Sequence, residues 1–238
     1  MHISNLYNKH SGSDIYIVGT GPTLRLLPKE FFNNKVAIGL NQAYKTFDLN
    51  YAITVHPELL KEYKEFVKKD KCKETQWVIC SKKPPLKLKL NDVKYYVYHR
   101  VNDWKCFVER TQDGLFCGRG IQQTAIDLAG RMGATNIILV GVDMESLGGD
   151  HHGHDQHIRF QGIRPEDVYK EYRLWTYKAK KLAREHHGIS VLSLSPLLGC
   201  GGLIHNGDYE TLRVEMGLCP LKTPKDISRK KRKGTDPA

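Results

Sequence analysis

Apolar residues along the chain fall into short unbroken runs separated by amphipathic or polar stretches. The runs are Ile15-Tyr16-Ile17-Val18, Val36-Ala37-Ile38-Gly39-Leu40, Tyr51-Ala52-Ile53-Thr54-Val55, Trp77-Val78-Ile79-Cys80, Tyr95-Tyr96-Val97-Tyr98, Ile137-Ile138-Leu139-Val140 and Val191-Leu192-Ser193-Leu194. A strand with one wet face alternates apolar and polar residues, whereas one buried on both faces does not. The runs therefore predict a parallel sheet covered on both sides. Two segments carry the helical period instead. Ile121, Ala125, Leu128, Ala129 and Met132 form one stripe, stopped by Gly133. Val168, Tyr172, Trp175, Ala179, Leu182 and Ala183 form the other. This second helix has Pro165, Glu166 and Asp167 at its start, Arg184, His186 and His187 in its last turn, and Gly188 after it. Those charges complement the helix dipole at both ends. Strands alternating with helices predict an α/β fold: a doubly wound, mostly parallel sheet with helices on both faces, Rossmann-like.

The length of 238 residues suits one sizeable domain. The expected organisation is an N-terminal arm over 1–13, a single domain over 14–220 and a basic tail over 221–238. No apolar run approaches the roughly 18 residues of a membrane span. The polar start, Met1 to Asp14, predicts no secretory signal. The six cysteines, Cys72, Cys80, Cys106, Cys117, Cys200 and Cys219, include no C-x-x-C pair. They read as reduced thiols of a cytoplasmic protein. The net charge of +11 favours a phosphorylated or polyanionic partner. Much of it lies in Lys222–Lys233, with a second basic stretch over Lys61–Lys94. A tail contact with nucleic acid competes evenly with a plain solvated face. Nothing in the sequence fixes an oligomeric state.

In an open parallel sheet, ligands bind beyond the carboxyl ends of the strands. Gly19, Thr20, Gly21, Pro22 and Thr23 follow the first run, and Asn41 and Gln42 the second. His56 follows the third, and Gly141 and Asp143 the sixth. The glycine loop suits an anion held by consecutive backbone N–H groups, with Thr23 adding a hydroxyl. A tight strand-to-helix turn is the alternative. The loop is neither a dinucleotide fingerprint, since no glycine completes G-x-G-x-x-G, nor a Walker loop, since G-K-[ST] is absent. Asn41 and Gln42 suit the reading of a base or of sugar hydroxyls, or a turn. The segment Gly148–His157 gathers Asp150, His151, His152, His154, Asp155 and His157. It reads first as a source of a general base, second as a solvated loop and third as a metal site. Arg100, Arg119, Gln122, Gln123 and Thr124 are candidates to face a donor. Arg119, flanked by glycines, lies just ahead of a helix N-terminus that would welcome an anion. Surface charge is the equal alternative.

With these residues assembled, the chain resembles the 6-hydroxymethylpterin diphosphokinase-like proteins and, more remotely, the bacterial lipooligosaccharide sialyltransferases. The likeness covers roughly residues 14–200. It rests on Ile17-Val18-Gly19-Thr20-Gly21-Pro22-Thr23-Leu24, Leu40-Asn41-Gln42, Ala125-Ile126-Asp127-Leu128-Ala129 with Met132-Gly133-Ala134, and Ile137-Ile138-Leu139-Val140-Gly141-Val142-Asp143, with a His-bearing loop after it. Thr23 stands where the family usually has Ser. The motifs do not separate the activities of the superfamily. The sialyltransferase likeness implies a nucleotide-sugar donor on Gly19, Gly21, Thr23 and Asn41, no required metal, a small-molecule or glycan acceptor, and His154 or His157 as base. The diphosphokinase likeness implies ATP with magnesium on Asp143 and Asp150 and a pterin acceptor. Glycosyl transfer is the leading expectation, pyrophosphoryl transfer the second, and a nucleic-acid-modifying or nucleic-acid-binding protein the third.

Overall fold

A computed structural model describes residues 1–70, 75–80, 93–110, 114–144 and 165–194. Eight parallel strands form one sheet among them: β1 (Ile15–Val18), β2 (Val36–Leu40), β3 (Tyr51–Thr54), β4 (Gln76–Cys80), β5 (Tyr95–Val101), β6 (Gly114–Phe116), β7 (Asn136–Val140) and β8 (Ser190–Ser193). Their order is β6-β5-β4-β3-β2-β1-β7-β8. Ile15 of β1 lies beside Val36 of β2 on one side and Ile137 of β7 on the other. The order reverses direction between β1 and β7, and a reversal of this kind opens a crevice at the carboxyl edge.

Among the described residues, four α-helices accompany the sheet: α1 (Leu59–Asp70), α2 (Trp104–Glu109), α3 (Ile121–Arg131) and α4 (Pro165–His187). The unalternating runs are explained by two buried faces. Ile15, Ile17, Ile38, Ile53 and Val78 face a core shared with α3 and α4. Tyr16, Val18 and Ala37 face the other side, against Phe31, Phe32 and Phe47. Further along that second face, Ala52, Trp77 and Ile79 pack on Leu60 and Tyr63 of α1.

The α/β class and the parallel sheet are as expected, and the two marked helices run within a residue of their expected ends. The expectation of a helix between each pair of strands needs correction. Only 3-10 turns (Pro22–Leu26, Lys29–Phe32 and Ala43–Lys45) join β1 to β2 and β2 to β3. Aromatic bulk compensates for the missing helices: Phe31, Phe32 and Phe47 meet edge to face, with centroids 4.9 Å apart in each contact. Residues 1–13 pack onto the domain. Ile3 and Leu6 are fully buried, and the Val97 amide of β5 donates to the Met1 carbonyl.

One buried ion pair fixes α3. Arg131 Nε donates to Asp127 Oδ1 at 2.9 Å, with both side chains 1% exposed. Asp127 Oδ2 also accepts the Phe116 amide of β6 at 2.8 Å, and Arg131 reaches the Tyr7 hydroxyl and the Cys106 carbonyl. Burial pushes the Asp127 carboxyl up from its ordinary range, and Arg131 opposes that shift. Stripping one partner from such a pair leaves an uncompensated charge and costs about 3–5 kcal/mol. Asp127→Ala is expected to lose that much in urea denaturation, with Arg131→Met close behind.

Burial also lowers two histidines below the ordinary 6.5: His10, bonded to the Tyr51 hydroxyl, and His187, whose Nε2 donates to the Phe107 carbonyl. A lowered folded value means that the unfolded chain takes the proton more readily. Their contribution is therefore complete above 6.5 and is lost as the pH falls through the lowered values. Melting temperature should fall as the pH is lowered from about 6.5 through the lowered folded values, with a shallower fall in the double variant His10→Gln, His187→Gln.

A candidate nucleotide cleft at the sheet edge

The carboxyl edge of the sheet carries a cleft of about 330 Å³ at the β1/β7 reversal. Gly19, Thr20 and Gly21 line it from the end of β1, Asn41 from β2, His56 from β3, and Gly141 and Asp143 from β7. The N-terminus of α3 contributes Arg119, Gly120, Ile121 and Gln122, and α4 closes the side with Tyr169 and Tyr172.

The glycine loop is built chiefly to meet β7. Gly19 N–H donates to the Val140 carbonyl and Gly21 N–H to the Gly141 carbonyl, each at 2.7 Å. Thr23 N–H donates to Asp143 Oδ2 and the Thr23 hydroxyl to Asp143 Oδ1, again at 2.7 Å. A Cβ on Gly19 would fall 2.8 Å from the Gly141 carbonyl carbon, and one on Gly21 would fall 2.5 Å from Asp143 Cγ. Real Cβ atoms do not come that close, so the two glycines permit the contact. The loop thus spends the amides of 19, 21 and 23 on Val140, Gly141 and Asp143, and the expected cradle of consecutive amides is not formed by them. The loop faces the cleft with two glycines and, between them, Thr20.

Pro22 starts the 3-10 turn, and neither it nor Thr23 lines the cleft. Gln42 also lies off it, with both bonds of its Nε2 on the Glu62 carboxylate at 3.1 and 2.9 Å. Asn41 remains on the wall. Its backbone is left-handed (φ 50°), which Asn tolerates better than most residues. Its Oδ1 accepts from the Thr54 hydroxyl at 2.9 Å, and that hydroxyl accepts the His56 amide. Its Nδ2 donates to none of the described residues, so it stands as a donor in the cleft.

The anion-attracting end of the cleft comes from α3. The first N–H groups of a helix have no intrahelical acceptor and carry the positive end of its dipole. Gly120 N–H is capped by Gln123 Oε1 at 2.8 Å. Arg119, 61% exposed, pairs with Glu171 at 3.2 Å. Burial raises the Tyr172 phenol, with Glu171 adding to the rise, so it stays protonated.

Arg100 is turned to Asn102, and Thr124 donates to the Cys117 thiol. His154, His157 and Asp150 lie outside the described residues, as does the tail. Among the described residues, no group of three or more His, Cys, Asp or Glu side chains is gathered for a metal. No helix among them is long and apolar enough to cross a membrane. Sequence reasoning missed Tyr169 as a wall residue and placed Tyr172 in an apolar stripe; Tyr172 packs against the core and also lines the cleft. Both sit on a helix face whose apolar stripe hides the difference.

No protein-family model matches the chain, so the diphosphokinase-like resemblance rests on its motifs alone. No curated protein matches it. Among solved structures, the Maf glycosyltransferase from Magnetospirillum magneticum AMB-1 is similar at 15% identity and TM-score 0.56, over 98% of this chain and 40% of that one. The chain therefore spans about two-fifths of that protein's length, and at this identity the likeness is one of fold. The sialyltransferase CstII from Campylobacter jejuni, in complex with the substrate analogue CMP-3FNeuAc, has 14% identity and TM-score 0.48, over 79% of this chain and 84% of that one. The monofunctional alpha-2,3-sialyltransferase Cst-I from the same organism has 17% identity and TM-score 0.47, over 93% of both chains.

The clasp between the two loops is testable by a double-mutant cycle. Gly21→Ala is expected to destabilise, because the new methyl meets the Asp143 side chain. Removing that side chain, in Asp143→Gly, should make the same substitution cheaper by roughly 1 kcal/mol or more. Additive losses in chemical denaturation would mean that the two residues do not press on each other.

Proposed function

We propose that the chain is a nucleotide-dependent transferase, with a glycosyltransferase acting from a nucleotide-sugar donor as the leading reading. The observation that carries it is the convergence on one cleft of the glycine loop, the Asn41 side chain, whose Nδ2 donates to no described residue, and the α3 N-terminus with Arg119. A helix N-terminus with an adjacent guanidinium is suited to a phosphate. Asn41 Nδ2 is suited to a sugar or base oxygen. The fold shared with a glycosyltransferase is compatible with this use of the sheet edge.

In this reading the donor phosphate lies against α3 and Arg119. A histidine, His154 or His157, takes the proton of the acceptor hydroxyl. The acceptor oxygen forms a bond to the anomeric carbon as the bond from that carbon to the phosphate oxygen breaks. The electron pair leaves on the phosphate, where the helix dipole and Arg119 stabilise the charge. Asp143 is committed to Thr23 and positions the loop.

A thermal-shift panel tests the reading. A ligand at a hundred times its dissociation constant stabilises by about 2.7 kcal/mol. Stabilisation by a CMP- or UDP-linked sugar without metal supports glycosyl transfer. Stabilisation by ATP with magnesium only would replace it with pyrophosphoryl transfer, and silence across the panel would reject the donor site. Arg119→Ala is expected to leave the melting temperature of the free protein unchanged, since the side chain is exposed. Its affinity for the active nucleotide should fall roughly tenfold to a hundredfold, the worth of a charge-assisted hydrogen bond.

A further inference from the structure

Gln122 is the second residue of α3 and only 5% exposed, yet it lines the cleft. Its Nε2 reaches the Thr176 hydroxyl oxygen of α4 at 3.5 Å, the outer limit of a hydrogen bond. That oxygen is better served by the neighbouring Gln123, whose Nε2 donates to it at 3.0 Å. Gln122 Oε1 accepts from none of the described residues. Nor is it among their buried side-chain atoms sealed from solvent without a partner; those are the Tyr44 hydroxyl and the Trp77 indole nitrogen. Gln122 Oε1 therefore keeps some exposure, next to Gly120, on a residue that lines the cleft. Turning the amide by 180° would place Nε2 there instead, so one amide atom keeps that exposure in either orientation.

The placement is enforced. The Gln122 amide folds back over Gly120, where a Cβ would fall 2.6 Å from Gln122 Cδ. Gly120 in turn is capped by Gln123. A side-chain amide normally finds a protein partner when the residue is this buried. A primary amide that is almost wholly buried, nearly unpartnered and set at the mouth of an anion-attracting helix is suited to ligand.

Building on the transferase reading, we propose that Gln122 is a specificity-determining residue of the cleft. It hydrogen-bonds a neutral hydroxyl-bearing group joined directly to the phosphate that α3 and Arg119 hold. The ligand class is thus a phosphate ester of a sugar, as in a nucleotide or nucleotide sugar, read at a sugar hydroxyl next to the phosphate. Inorganic phosphates engage the helix end and Arg119 and gain nothing from Gln122.

The test uses the full chain and Gln122→Met, which keeps the length and helix preference of the side chain and removes the amide. Both proteins are titrated calorimetrically with inorganic pyrophosphate, CMP, a CMP-linked sugar and a UDP-linked sugar. The expected result is a loss of about tenfold or more for the sugar-bearing ligand that binds the wild type. Pyrophosphate affinity and melting temperature should stay unchanged. Equal affinity of both proteins for that ligand overturns the role of Gln122 and leaves the donor site standing. A parallel loss for pyrophosphate also overturns it, since Gln122 would then merely support the helix end. Absence of binding by wild type to every probe removes the donor site and the inference with it.

Discussion

The close approach of two backbones at the sheet edge is the constraint on which the cleft depends. β1 and β7 are neighbours in the sheet, and the loops that leave them must part without a gap that exposes backbone or a clash that forces them asunder. Glycines at 19 and 21 let the first loop lie on the second, and Asp143 clamps it through the amide and hydroxyl of Thr23. A carboxylate that accepts two short hydrogen bonds in a buried setting holds firmly, because charge-assisted bonds are roughly twice as strong as neutral ones. The floor of the cleft is thereby rigid. Anything bound there meets backbone, with no long side chain in the way.

The opposite wall depends on α3, and α3 depends on its far end. Asp127 and Arg131 tie the helix to β6, to α2 and to the N-terminal residues through bonds to Phe116, Cys106 and Tyr7. The helix cannot slide along its axis without breaking a buried charge pair. Its N-terminus is accordingly held at the cleft by an anchor some ten residues away along a rise of about 1.5 Å per residue. The buried pair adds little net stability over apolar packing, and its value lies in fixing register.

Much of this was legible in the sequence, for definite reasons. Buried strands announce themselves as unbroken apolar runs, and α4 carries its own caps at both ends. The short strand β6 and helix α2 were not legible, since three residues such as Gly114–Phe116 show no period and α2 spans under two turns. The glycine loop was found by its position after the first strand. Its amides, however, go to the end of β7 and the residues after it, partners about 120 residues away that no local pattern reveals. Gln42 and Asn41 are adjacent in sequence and alike in chemistry. The left-handed backbone at Asn41 and the Glu62 carboxylate send them to different tasks, and both are tertiary facts. Tyr169 fell on a helix face whose spacing signals core and ligand wall alike.

The pairing of Arg119 with Glu171 bears on whether the cleft can accept an anion at all. An exposed ion pair of this kind contributes about 0–1 kcal/mol, because water screens it and two long side chains must be held still. A guanidinium meeting a phosphate can form two parallel bonds, and the phosphate also gains the positive end of α3. The second arrangement exceeds the first, so under the proposed function an arriving phosphate would displace Glu171 with little loss. Glu171 then has a use while the cleft is empty: it holds Arg119 beside the helix end, near the position that binding requires. In the proposed reading Arg119 supplies the charge and Asn41 and Gln122 the neutral hydrogen bonds. Affinity then follows the phosphate, while discrimination follows the group attached to it.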